Sequence, residues 1–400
     1  MYICSRTSKL HKKVNKYINR KVEATILEAS QYFPVIIVTG PRQAGKSTLI
    51  KHLFPNFAQY SLEDYDVRSI ATNDPKRFLQ SSEKGMVIDE VQNCPELLSY
   101  LQGIVDNHPE RRYVLSGSAN FSLLHSVKQS LAGRAFIIDL LPLSMEEAGE
   151  LIQTSSTNEL LFNGLYPGVQ TGERPAKFMY PAYVRTYLER DVRELINARN
   201  IMQFNTFLKI CAGRIGQIFN VSQVATEVGV SSHTISEWLS ILEASYVIFR
   251  LQPYFKNSTK RLIKSPKIYF CDTGLACHLL GIESARELES HSMRGPLFEN
   301  LIVTEALKHR FNLAKDNNLC FYRDSNQNEI DLLIQEKSSM KGIEIKSSMT
   351  YHSSFEKALK KMETMVTDAV SVRAIVYDGD VENESGEIKI LNYRHLSTIL

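Results

Sequence analysis

Val35-Ile36-Ile37-Val38-Thr39-Gly40-Pro41-Arg42-Gln43-Ala44-Gly45-Lys46-Ser47-Thr48-Leu49-Ile50 is the stretch whose reading decides the fold. Its opening apolar run is that of a strand covered on both faces. The next eight residues satisfy G-x-x-x-x-G-K-[ST] in full, and Ser47-Thr48-Leu49-Ile50 opens a helix. Gly40 and Gly45 let the loop through Pro41 curl so that the amides of Arg42, Gln43, Ala44, Gly45, Lys46, Ser47 and Thr48 face phosphate oxygens. The helix N-terminus adds positive potential. Lys46 is expected on the β- and γ-phosphates and Ser47 on Mg²⁺, so ATP with Mg²⁺ is the expected ligand pair.

Downstream, Met86-Val87-Ile88-Asp89-Glu90 is a second apolar run that ends in two carboxylates. Asp89 is expected to hold Mg²⁺, mostly through water, and Glu90 to orient the attacking water. Tyr113-Val114-Leu115-Ser116-Gly117-Ser118 is a third run; Ser118 either senses the γ-phosphate or forms a plain turn. Arg134, in Leu131-Ala132-Gly133-Arg134, is either an arginine finger, in cis or from a neighbouring subunit, or a surface ion pair. A finger from a neighbour requires a homo-oligomer. With Phe136–Leu140, these runs alternate with helical patterns, which predicts a parallel sheet over residues 20–150.

Residues 151–270 read as a helical connector ending in a helix-turn-helix and wing. Ser222 is placed to cap a helix carrying Val224, Ala225 and Val228, and Gly229 to end it. Ser231 or Ser232 caps a second helix whose Ile235, Trp238, Leu239 and Leu242 share a face. No lysine or arginine lies between Val230 and Ala244, which argues against base readout and for a protein partner. Lys256, Lys260, Arg261, Lys264 and Lys267 follow and supply a candidate grip on DNA phosphates.

Residues 271–400 read as a C-terminal α/β domain. An amphipathic helix over 295–311 carries Glu299, with Phe298, Leu301, Ile302, Ala306 and Leu307 on its apolar face. Strand alternation puts Glu329 with Asp331 on one face, and Glu344 with Lys346 on one face. If the two strands pair, Asp331, Glu344 and Lys346 converge. Two carboxylates then suit a hard cation, Glu299 adds a third ligand, and the lysine activates water beside a scissile phosphate. A charged surface strand, or the same cluster without activity, gives the same pattern.

The bulk composition adds limits. A net charge of +3 gives no general attraction to nucleic acid, so any such contact must come from local patches. No apolar run approaches the roughly 18 residues of a membrane span. The N-terminal Arg6, Lys9, Lys12, Lys13, Lys16, Arg20 and Lys21 read as a solvated helix face without a signal-peptide core. The six scattered cysteines suit neither zinc nor a disulfide framework, so a reducing cytoplasm is expected.

The motifs together resemble a large prokaryotic family of AAA-type ATPases whose C-terminal domain, of unknown function, is similar to PD-(D/E)xK nucleases. The likeness runs in order through Gly40–Ser47, Ser61-Leu62-Glu63-Asp64, Asp89-Glu90-Val91-Gln92, Ser116-Gly117-Ser118, Ser130–Arg134 and Leu141-Pro142-Leu143-Ser144. It continues through Tyr187-Leu188-Glu189-Arg190-Asp191, Asp272-Thr273-Gly274-Leu275, Phe298-Glu299-Asn300, Glu329-Ile330-Asp331 and Glu344-Ile345-Lys346. Ile330 stands where the motif's name has proline. The resemblance implies ATP hydrolysis coupled to nucleic acid through the rear domains, or an ATP-dependent switch or scaffold with an inactive nuclease-like domain.

Overall fold

The computed structural model describes residues 17–118, 130–188, 201–254 and 265–400. Arg6, Lys9, Lys12, Lys13, Lys16, Cys4, Glu189-Arg190-Asp191, Lys256, Lys260, Arg261 and Lys264 lie outside the described residues.

The apolar run before the glycine loop forms β1 (Val35–Gly40), buried along its whole length. It is the fourth strand of a five-stranded parallel sheet, in the order β2 (Ala58–Ser61), β3 (Gly85–Asp89), β4 (Arg112–Ser118), β1 and β5 (Ala135–Asp139). The short, partly polar β2 has no apolar run and was not legible in the sequence. Alternation along each strand sends Val35, Ile37, Met86, Ile88, Tyr113 and Leu115 into one core. Ile36, Val38, Val87, Val114 and Ile138 fill the other face, with the helices α1 (Glu23–Tyr32) and α2 (Lys46–Leu53) over it. β4 lies between β1 and β3, so Asp89 ends one strand further from the glycine loop than Ser116 does.

The helix-turn-helix pattern forms α3 (Val221–Val228) and α4 (Ser232–Ala244). The cap of α3 is Asn220, which accepts from the Gln223 N–H, rather than the expected Ser222. Ser231 caps α4, and Gly229 ends α3 with φ 77°. The strands that follow, β6 (Ile248–Pro253) and β7 (Lys267–Phe270), pair antiparallel. They do not close off a separate unit. Through β6 they join β8 (Leu319–Arg323), β9 (Glu329–Gln335), β10 (Ser339–Lys346), β11 (Ala369–Tyr377) and β12 (Lys389–Asn392) in one mixed seven-stranded sheet. One apolar core runs from Leu141 to Ile399. The boundary expected at 270/271 is therefore crossed by both a sheet and a core.

Between β7 and β8 stand α5 (Thr273–Leu279) and α6 (Arg294–Asn312). The expected amphipathic character of α6 does not hold. Besides the apolar positions, Asn300, Thr304, Glu305 and Lys308 are buried, because α6 packs against both sheets and the helical connector. No helix among the described residues is long and apolar enough to cross a membrane. The five described cysteines are free and buried.

Candidate nucleotide site and a carboxylate–lysine cluster

The loop between β1 and α2 is shaped by positive φ at Gly40 (147°), Gln43 (64°) and Gly45 (95°). A Cβ on Gly40 would lie 2.1 Å from the Leu140 carbonyl oxygen, so only glycine lets β1 run this close to the chain leaving β5. Lys46 is buried and folded back, donating to the carbonyls of Gly40 at 3.0 Å and Pro41 at 2.9 Å. Burial lowers its ammonium to about 8, against the opposing pull of Glu90 and Asp89.

Asp89 ends β3. Its Oδ1 accepts from the Ser116 hydroxyl and from the Glu90 N–H, the latter at 3.1 Å. Glu90 has φ 55°, a left-handed conformation rare outside glycine, so the chain turns sharply as it leaves the strand. The Gln92 amide donates to the Glu90 carboxylate. Ser47, Asp89 and Ser116 line one cavity of about 100 Å³. That oxygen-only set fits a hard divalent cation. Ser116 takes the place expected of Ser118 beside the carboxylate; the Ser118 backbone pairs with Gly40, while its side chain lies outside what is described.

A second cavity, of about 190 Å³, opens beside Gly45 and Thr48 and is walled by Tyr17, Arg20, Pro167 and Gly168. Arg20 is not on a solvated helix face, as expected, but buried. Its guanidinium donates to the carbonyls of Ala44 at 2.9 Å and Leu141 at 2.7 Å, and its Nε lies 3.1 Å from Glu147. A lone arginine in a basic segment carried no signal of this role.

Arg134 lies at the opposite end of the strands from the glycine loop, immediately before β5, whose first residue pairs with Val35. Both its guanidinium arms hold Asp106, at 2.6 and 2.9 Å. This corrects the in-cis alternative: the loop is five strand residues away, roughly 16 Å.

On the second sheet, β9 and β10 are antiparallel, with Ile343 opposite Leu332. The pairing brings Asp331, Glu344 and Lys346 together. Lys346 Nζ lies 2.6 Å from Glu344 and 3.6 Å from Asp331, and Asp331 accepts the Ile345 N–H at 2.8 Å. Burial, then the Asp331 charge, pushes the Glu344 carboxyl up to about 8. Glu299 on α6 takes a different partner: Lys267, whose Nζ is 3.1 Å from Glu299 and 2.6 Å from Glu329. Of the expected metal set Glu299, Asp331 and Glu344, the last two share Lys346 and Glu299 is held by Lys267. Among the described residues no group of three or more His, Cys, Asp or Glu side chains is arranged to hold a metal ion. The expected phosphate contact of Lys267 fails as well, since its side chain is 1% exposed.

Other motifs serve the architecture. Asp272 caps α5 and binds the Leu165 N–H and the Tyr180 hydroxyl, both at 2.7 Å. Asn300 exchanges two 2.8 Å hydrogen bonds with the Phe270 backbone.

The parallel sheet, glycine loop and paired carboxylates define an AAA-type P-loop ATPase domain, and an AAA domain model matches residues 32–149. Two models of unknown function match the rest, Domain of unknown function (DUF8612) over residues 154–286 and Domain of unknown function (DUF4143) over residues 294–396. The chain belongs to the family of an uncharacterised protein found in Mycobacterium tuberculosis and Mycobacterium bovis, with 31% identity over 370 residues, 90% of this chain and 80% of theirs. An uncharacterised Haemophilus influenzae protein is 21% identical over 308 residues, 69% of this chain and 75% of that one. Among solved structures, the Walker-type ATPase of Pyrococcus abyssi aligns with a TM-score of 0.45 and 14% identity, over 66% of this chain and 96% of that one.

Proposed function

We propose that this protein hydrolyses ATP with Mg²⁺, using Lys46, Ser47, Asp89 and Glu90. The observation that carries the reading is the turn at Asp89-Glu90. It sets one carboxylate in the cavity shared with Ser47 and the next in a left-handed turn held by Gln92. Lys46 neutralises phosphate charge, and the backbone from Gly40 to Thr48 cradles the phosphates. The cavity beside Gly45 takes the remainder of the nucleotide, between the ATPase sheet and Pro167-Gly168 of the connector. Bound Mg²⁺ would neutralise the charge that develops on the β- and γ-oxygens. Glu90 orients water. Phosphate release tests this: Lys46→Ala should lose nucleotide binding or turnover, and Glu90→Gln should bind ATP and turn over about 10²–10⁴-fold more slowly. Unchanged turnover in either folded variant would sink the assignment.

For the rear domains, one observation favours an ATP-dependent switch or scaffold over DNA processing. The outward hydroxyls of Ser236 and Ser240 on α4 donate to that helix's own carbonyls, and His233 sits beside Glu237. Such a face offers little to base edges and suits a protein partner. DNA contact through Lys256, Lys260, Arg261 and Lys264 is the competing reading, and stimulation of turnover by DNA would establish it.

A further inference from the structure

The carboxylate cluster of the second sheet already contains a cation. Lys267 enters it from β7, its ammonium lying 5.3 Å from the centre of the Phe321 ring and bridging Glu299 on α6 and Glu329 on β9. Tyr269, two residues along β7 and so on the same face, donates its hydroxyl to Glu299 at 2.5 Å. Arg323 holds the other oxygen of Glu329 at 3.1 Å. Behind Glu299 the chain passes at Gly216, where a Cβ would lie 3.2 Å from both carboxylate oxygens. Asp331 follows Glu329 on the same face of β9 and is engaged by Lys346 and the Ile345 amide. Burial alone would lower the Lys267 ammonium, but Glu299, Asp331 and Glu329 outweigh it and hold the group above its ordinary value.

A divalent ion in this place needs six or so oxygens at about 2.0–2.6 Å. Here the oxygens of Glu299 and Glu329 converge on nitrogen instead, and an ion placed beside them would meet an ammonium it repels. We propose that Lys267 is a resident cation standing where a divalent metal would otherwise sit, so that the cluster joins α6, β7 and β9 electrostatically and latently retains a metal site. The proposal is independent of ATP hydrolysis. Nothing local in the chain signals this, because Lys267 closes a run of basic residues that reads as a grip on phosphates.

Removing one partner of a buried ion pair leaves an uncompensated charge. Another cation should then take its place. The test uses the full chain without nucleotide and Mn²⁺ as the probe, followed by calorimetry and thermal melting. Wild type should show no Mn²⁺ binding that depends on Asp331 or Glu344, and no plasmid nicking that Asp331→Ala abolishes. Lys267→Ala should melt lower in chelator, recover several degrees with millimolar Mn²⁺, and lose that recovery when Asp331→Asn is added. Asp331-dependent Mn²⁺ binding or nicking by wild type would overturn the proposal. So would a folded Lys267→Ala protein indifferent to Mn²⁺. Should Lys267→Ala not fold even with Mn²⁺, Lys267→Ser leaves the same space and is read by the same criteria, while the wild-type titration stands alone as a refutation.

Discussion

Lys46 holds its ammonium against the carbonyls of Gly40 and Pro41, so binding phosphate exchanges two neutral acceptors for anionic oxygens. In the free chain burial lowers this ammonium to about 8; phosphate charge must raise it in the complex. Between the two values the complex holds more protons than the free protein. ATP affinity should therefore fall as pH rises through about 8, with proton uptake on binding. Calorimetry in buffers of different ionisation enthalpy measures that uptake, and none at pH 8–9 would mean Lys46 is fully charged before ATP arrives. The identity of Lys46 was legible because its motif is local. Arg20 was not, because its partners Ala44, Leu141 and Glu147 are distant in sequence.

At the scale of elements, β5 runs parallel to β1, and this decides what Arg134 can reach. Its side chain leaves the sheet at the end of the strands remote from the loop and pairs with Asp106 on the surface, where salt and water screen the pair. Arg134→Ala is expected to keep nucleotide binding and turnover in the isolated subunit. A loss of about 10³-fold or more, with activity recovered on mixing with Lys46→Ala protein, would instead make it a finger acting on a neighbour. The strands β1, β3, β4 and β5 were readable as apolar runs. The helix α6 was misread as one-faced, since its polar residues Asn300, Glu305 and Lys308 are buried against specific partners.

Across the whole molecule, a line of buried polar contacts joins the glycine loop to the rear core. Arg20 links Ala44 to Leu141 and Glu147. A few residues on, Lys308 donates to the Leu143 carbonyl at 2.9 Å, and Glu305 accepts the Met145 N–H at 2.7 Å while pairing with Lys308 at 2.8 Å. Glu305→Ala should strand the Lys308 charge and lower stability by about 3–5 kcal/mol in chemical denaturation. A loss well below that would show that water reaches this joint. Nucleotide-dependent hydrogen exchange at Met145 would report whether the line responds to ATP.

The glycine loop, the carboxylates at the end of β3 and the helix-turn-helix pair were determined by the sequence itself. Each depends on neighbours within a few residues, where periodicity and turn chemistry act. The same alternation placed Asp331, Glu344 and Lys346 on facing positions. What only the tertiary structure decided was which charges meet. Lys267 and Glu299 are 32 residues apart, and Arg20 and Leu141 are 121 apart. Local pattern tells whether a side chain leaves a strand or helix on one face or the other. Whether it then meets water, a metal or an opposite charge depends on which other element folds against that face.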